Sequence, residues 1–159
     1  MKKSVLVLLT LVPFVIGDIS GSLIMKPNMI KVCLILLPFI STAFWFYLGI
    51  QYARSNWKPI KSVLIAHAMA ICSVFIYFWQ FILVTGEERI HVLSRFSQLF
   101  TSSTPIVLLS KIAILFESDS AIVGKATFMA LQILALIYMI IIFCLGLYLG
   151  KRISKEYDF

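Results

Sequence analysis

The chain has 159 residues, of which 61% are hydrophobic, and its formal net charge is +7. That hydrophobic share exceeds the roughly 45–50% of soluble domains, and a soluble fold of this size could not bury so much apolar surface. The basic residues flank apolar runs and form no basic face with interleaved aromatics, which argues against nucleic-acid binding. The composition predicts one all-α integral membrane domain, 1–159.

Four apolar runs are each long enough to cross a hydrocarbon core of ~30 Å. The predicted spans are 4–25, 30–50, 62–84 and 126–149. Together they predict a four-helix bundle that crosses the membrane several times.

The first run has a second interpretation, as a cleaved signal peptide. A basic start, an apolar stretch and small residues near Gly17 fit that interpretation. The apolar run resumes after Asp18 with Ile19 and Leu23, which favours a retained helix. Pro13 is expected to bend that helix, because proline removes a backbone donor.

The lysine and arginine distribution predicts the orientation. With the N-terminus inside, eight basic residues fall on the inner side and six on the outer side. Four of those six lie in a long segment that also carries acids, where the rule is weaker. We therefore expect both termini inside the cell. The short lysine-led N-terminus and the absence of glycosylation sequons favour a bacterial inner membrane.

The longest segment between spans, 85–120, is predicted to lie on the outer surface. Thr85 and Glu88 have the spacing of a capping box. On a helical wheel one arc of 90–100 is apolar, which predicts an amphipathic helix in the membrane interface. That arc consists of Val92, Leu93, Phe96, Leu99 and Phe100, and the polar arc opposite consists of His91, Ser94, Arg95, Ser97 and Gln98. Residues 105–116 predict a second helix, either interfacial or re-entrant, and Asp119 or Ser120 is expected to cap the fourth span.

No motif predicts catalysis, a metal site or a cofactor. Glu87 and Glu88 invite comparison with the E-E-x-x-x-R motif of intramembrane proteases of the CAAX-processing type, but Val92 stands where that motif has arginine. The three cysteines lie far apart inside predicted spans, which indicates free thiols. The Gly17-x-x-x-Gly21 and Gly146-x-x-x-Gly150 spacings are typical of close helix packing, within one chain or between copies.

Asp18 and His67 are ionisable residues inside predicted spans, where a charge costs roughly 2.5–3.5 kcal/mol or more. At ~1.5 Å per residue, Tyr77, Gln80 and Gln132 come out at nearly the level of Asp18, in the outer half of the bundle. We therefore predict a buried polar cluster of these four residues. It either holds the helices together or binds a ligand or proton.

His67 comes out level with Tyr47 of the second span. It is expected to make a hydrogen bond across helices, and a proton-relay role is the alternative.

Two functions follow from these patterns. The first is a non-enzymatic accessory, immunity-type or sensory factor that acts through contacts with lipid, another membrane protein or a second copy of itself. The alternative is a small transporter, or the membrane component of one, that uses Asp18. An embedded enzyme has the least support, because no nucleophile, metal ligands or acid–base pair converge.

Overall fold

The structure, a computed structural model, describes residues 2–24, 30–55, 57–102, 109 and 124–157. Helix makes up 87% of it, and the described residues contain no strand, which confirms the all-α prediction. The helices are α1 (Lys3–Leu9), α2 (Val12–Ile24), α3 (Ile30–Ala53), α4 (Pro59–Tyr77, continued by a π-helical turn at Phe78–Leu83), α5 (His91–Ser102) and α6 (Lys125–Tyr157).

Within the described residues, three stretches of helix are long and apolar enough to cross a membrane. They are Leu36–Ala53 in α3, Pro59–Leu83 in α4 and Lys125–Ser154 in α6. These stretches overlap the second, third and fourth predicted spans, because a long uninterrupted apolar run has few alternatives to helix.

The first predicted span, 4–25, is not one helix in the structure. α1 ends at Leu9, and after a two-residue turn α2 begins at Val12. Pro13 accounts for the break, because its ring collides with the carbonyl group four residues earlier and it has no N–H to donate. The proline divides this segment into two short helices, where a bend was expected.

The most extensive helix contact joins α3 and α6. The Thr42 hydroxyl lies 3.3 Å from the Tyr138 hydroxyl, and further along Gly150 lies against Ala53. Residue numbers rise together along the two helices, so α3 and α6 run parallel.

Glycines allow this contact to be close. A methyl group on Gly49 would overlap the backbone carbonyl of Phe143, and one on Gly146 would overlap the carbonyl of Phe46. The glycine spacing in α6 therefore serves packing within the chain, one of the two uses that the sequence left open.

The ends of α3, α4 and α6 meet on one side of the bundle, next to Trp57. The ammonium groups of Lys3 and Lys61 both lie 5.8 Å from the centre of the Trp57 ring. We call this side the basic end. Its basic residues with described side chains are Lys2, Lys3, Arg54, Lys58, Lys61, Lys151 and Arg152.

α5 folds back along α4. The Ile90 N–H donates to Gln80 Oε1 at 2.8 Å, and the Ser73 hydroxyl donates to the Ser97 carbonyl at 3.1 Å. The two contacts are seven residues apart on each helix and run in opposite order, so the helices are antiparallel. Because Pro59–Leu83 is centred near residue 71, the contact of Ser97 with Ser73 lies close to the middle of α4, and α5 continues past it to Ser102.

This arrangement differs from the amphipathic helix on the outer surface that the sequence predicts. Ser97, on the polar arc of the helical wheel, is fully buried, whereas Val92, on the apolar arc, is 76% exposed. α5 packs between α2 and α4, and these contacts bury Ser97. Apart from Leu109, the expected second helix at 105–116 lies outside the described residues, as do Asp119 and Ser120.

The turn before α5 contains the expected capping pair in another role. The Thr85 hydroxyl donates to the Glu88 carboxylate at 3.2 Å, but α5 begins only at His91. The pair therefore closes the turn between α4 and α5 and caps no helix.

Replacing Gly146 by alanine is expected to lower the free energy of unfolding in detergent micelles by about 1–3 kcal/mol, because the added methyl forces α3 and α6 apart. Denaturant titration followed by circular dichroism measures this loss. Gly86→Ala is the matched control, since nothing lies within 4 Å of that position. Equal losses in the two variants would contradict the packing argument.

Candidate functional site

An ion pair links α2 to α5. Arg95 Nη2 donates to Asp18 Oδ1 at 3.0 Å, and the two side chains are 75% and 54% exposed. The carboxylate that the sequence placed inside the bundle is therefore on its outside.

Close packing of the two helices fixes the position of this pair. Gly17 lies against the backbone carbonyl of Leu99, where any side chain would overlap it. Phe14 stacks on Phe96, with ring centres 5.0 Å apart, and contacts Phe100 at 5.6 Å. With the backbones held this close, Asp18 and Arg95 reach each other directly.

The pair lies between the middle of α4 and the end of α4 away from the basic end. Arg95 falls between Ile90 and Ser97 on α5, which contact Gln80 and Ser73 of α4. At ~1.5 Å per residue, Ser73 is about 3 Å and Gln80 about 13 Å from the centre of α4. The Arg95 backbone lies between those two levels.

Apolar side chains surround the pair on the same surface. Val15 and Ile19 of α2, with Leu11 in the turn before it, repeat every four residues next to Asp18. Val92 lies one turn before Arg95, and all four apolar residues are exposed. We call this surface the α2–α5 face. It consists of Leu11, Val15, Asp18, Ile19, Val92 and Arg95.

The other members of the predicted polar cluster are buried. Tyr77, Gln80 and Gln132 are at most 5% exposed, in contrast with Asp18. The cluster is thus divided between an exposed ion pair on the α2–α5 face and buried polar groups where α4 meets its neighbours.

Gln80 stabilises the turn between α4 and α5. Its side-chain oxygen accepts the Ile90 N–H, and its backbone carbonyl accepts the Arg89 Nε–H at 2.9 Å. In the π-helical turn the Val84 N–H bonds to the Trp79 carbonyl, five residues back, which leaves the Gln80 carbonyl open to Arg89. Gln80 has a structural role here.

Gln132 differs from Gln80. It is 3% exposed, and neither amide atom has a hydrogen-bond partner among the described residues. One turn earlier on α6, Phe128 lies 5.4 Å from the Tyr77 ring, and Tyr77 stacks on Phe81 at 4.5 Å. The buried amide therefore lies one helical turn from an aromatic contact between α4 and α6.

His67 is fully buried nearer the basic end. Its ring stacks on Trp45 of α3 at 4.6 Å and meets the edge of Phe143 of α6 at 5.1 Å. Its Nδ1 lies 3.1 Å from the Val63 carbonyl of its own helix, and its Nε2 has no hydrogen-bond partner among the described residues. The neighbour on α3 is Trp45 and not Tyr47, which is exposed.

Sequence reasoning missed Arg95. It treated the residue as part of the solvated arc of an interfacial helix, above the level of Asp18. The available signal was the carboxylate itself, because an acid within an apolar run needs a cation or hydrogen-bond donors nearby.

Comparisons with known proteins supply no relative. No protein-family model matches the chain, and neither curated proteins nor solved structures contain a match. Within the described residues, no three histidine, cysteine, aspartate or glutamate side chains are grouped as metal ligands.

The two glutamines are expected to respond differently to leucine. Gln80→Leu removes the acceptor of the Ile90 N–H and should lower the free energy of unfolding by about 1–3 kcal/mol. Gln132→Leu should be neutral or stabilising, because it replaces an amide without a described partner by an apolar group of similar size. Denaturant titration compares them, and hydrogen exchange at 85–95 should accelerate only in Gln80→Leu. A greater loss from Gln132→Leu would show that its amide has a structural partner.

Proposed function

We propose that this chain is a multi-pass protein of the cell membrane that acts by binding another protein and not by catalysis. Three helices of sufficient length and apolarity support the membrane assignment. α1 and α2 supply the fourth crossing of this proposal, because together with their turn they cover about 33 Å at ~1.5 Å per residue.

In this proposal the basic end faces the cytoplasm. Lys3, the carboxyl ends of α3 and α6 and the start of α4 share that end, so the basic residues of separate segments collect on one side. An excess of lysine and arginine in short connections is the usual signature of the cytoplasmic side. Both termini are then inside.

The exposed ion pair is the observation that carries the proposed function. If α4 is centred in a hydrocarbon core of ~30 Å, the Arg95 backbone lies less than ~15 Å from the midplane, within the hydrocarbon. A charged group near the bilayer centre costs roughly 2.5–3.5 kcal/mol or more, and pairing offsets only part of this where both side chains face lipid. A protein surface that covers the pair removes that contact with lipid.

A second copy of this chain is the partner that the α2–α5 face itself favours. Asp18 and Arg95 form a neutral pair of opposite charges, which is self-complementary about a two-fold axis. Two copies facing each other would place Asp18 of each against Arg95 of the other. The exposed apolar residues of the face would pack around the four charges.

The transporter alternative has weaker support. It needs a carboxylate within a polar interior, and Asp18 lies on the outside of the bundle while Gln80 and Gln132 are buried. The enclosed amide of Gln132 is the observation that keeps a small polar ligand in consideration. Proton- or solute-dependent uptake into vesicles that Gln132→Leu abolishes would favour this alternative.

A charge exchange tests the self-association. Asp18→Arg combined with Arg95→Asp preserves an ion pair within each chain and between two exchanged copies. Mixed pairs of exchanged and wild-type chains would oppose arginine to arginine and aspartate to aspartate. We expect energy transfer between labelled copies in liposomes for wild type and for the exchanged variant, and at least roughly tenfold weaker association for the mixture.

Two controls separate specific pairing from changes in folding. Asp18→Lys alone should weaken association, whereas Glu87→Lys, the same change in charge on an exposed residue of the turn between α4 and α5, should leave it unchanged. Circular dichroism and gel filtration establish that each variant is folded. Mixed pairs as strong as homotypic pairs, or no association of the folded wild type, would overturn self-association through this face.

A further inference from the structure

A groove opens on the first two turns of α4, at the basic end. Its volume is about 640 Å³. Lys58, Pro59, Ile60, Lys61, Leu64 and Ile65 line it. Apart from the two lysines these residues are apolar, and Ile60 and Leu64 are 76% and 57% exposed. The groove is therefore open and apolar, and its two lysines place positive charge where it begins.

Positive charge collects where the groove begins. Lys61 lies over the Trp57 ring, and Lys3 of α1 lies at the same 5.8 Å from the ring centre. Such cation–π contacts hold ammonium groups beside the aromatic ring while leaving their N–H groups free to bind an anion. Lys58, which is also exposed, lines the groove together with Lys61, and Lys3 belongs to the same cluster through its contact with Trp57.

No carboxylate among the described side chains neutralises this charge. The described acids are Asp18, Glu87 and Glu88. Asp18 bonds to Arg95, and the two glutamates follow the far end of α4. Among the described side chains, the three lysines thus have no acidic partner.

We infer that the groove binds an anionic phospholipid. Lys58 and Lys61 contact its phosphate, Trp57 lies at the level of the headgroup, and an acyl chain follows Ile60 and Leu64. From Lys58 to Ile65 the groove extends about 10 Å along α4 at ~1.5 Å per residue, which carries a chain from the headgroup level into the hydrocarbon. Tryptophan and lysine are the residues favoured at this boundary.

The inference depends on the chain lying in a membrane and not on self-association through the α2–α5 face. A lipid fits both properties of the groove, since the lysines recognise the phosphate and the apolar walls accept the chain. A soluble anion would use the lysines alone. A zwitterionic lipid would place a chain against the apolar walls. It would bind less tightly than an anionic lipid, because it has no net negative charge to attract the lysines.

Native mass spectrometry of the full chain in detergent measures the binding, with phosphatidylglycerol and phosphatidylcholine as the probes. We expect wild type to bind phosphatidylglycerol at least roughly tenfold more tightly. Lys58→Gln combined with Lys61→Gln should weaken phosphatidylglycerol binding about 25-fold, or about fivefold for each lysine. Replacement of both lysines by arginine should restore the binding.

A matched charge control separates a site from general surface charge. Lys151→Gln with Arg152→Gln removes the same charge at the same end of the bundle, away from the groove. This variant should bind within about threefold of wild type. Equal losses in the two double variants, or no preference of wild type for phosphatidylglycerol, would overturn the inference.

A second pair of variants tests the apolar walls. Leu64→Trp fills the groove without changing its charge and should weaken phosphatidylglycerol binding at least roughly tenfold. Ile141→Trp adds the same side chain at an exposed position of α6 and should have no effect. Undiminished binding in a folded Leu64→Trp variant would overturn the placement of the acyl chain. These outcomes are independent of the charge-exchange experiment, because neither set of variants changes the other's surface.

Discussion

Backbone contact between α3 and α6 at Gly49 and Gly146 determines much of the bundle. Because neither glycine has a side chain, the two helices approach until each meets the other's carbonyl groups. Trp45 of α3 and Phe143 of α6 then both contact the ring of His67 of α4. The same core continues to Phe100 of α5, so the position of α5 also depends on this contact.

The long apolar helices α3, α4 and α6 could be predicted from the sequence, because each apolar run exceeds what a soluble helix or a turn can accommodate. The level of Gln80 and Gln132 along those helices followed by simple counting of residues. Both results depend only on local composition and the rise of a helix. Neither depends on which helices are neighbours.

α5 shows where this reasoning stops. A helical wheel separates apolar from polar positions, but it does not show whether the apolar arc meets headgroups or other helices. The direction of α5 depends on the hydrogen bonds that Gln80 and Ser73 make to it, and these exist only after α4 has formed. Arg95 could not be assigned to Asp18 without that direction, since 77 residues separate them. Pro13 was expected to bend one helix. It separates two helices instead, because its ring collides with the carbonyl group of Leu9, where α1 ends.

The division of the first apolar segment into α1 and α2 has a consequence for biogenesis in a membrane. The segment is made first, yet its two helices of 7 and 13 residues are each shorter than the roughly 20 residues that a stable crossing needs. Asp18 is synthesised 77 residues before Arg95, its partner in the ion pair. The contact between α2 and α5 can therefore form only after α3 and α4 have been made.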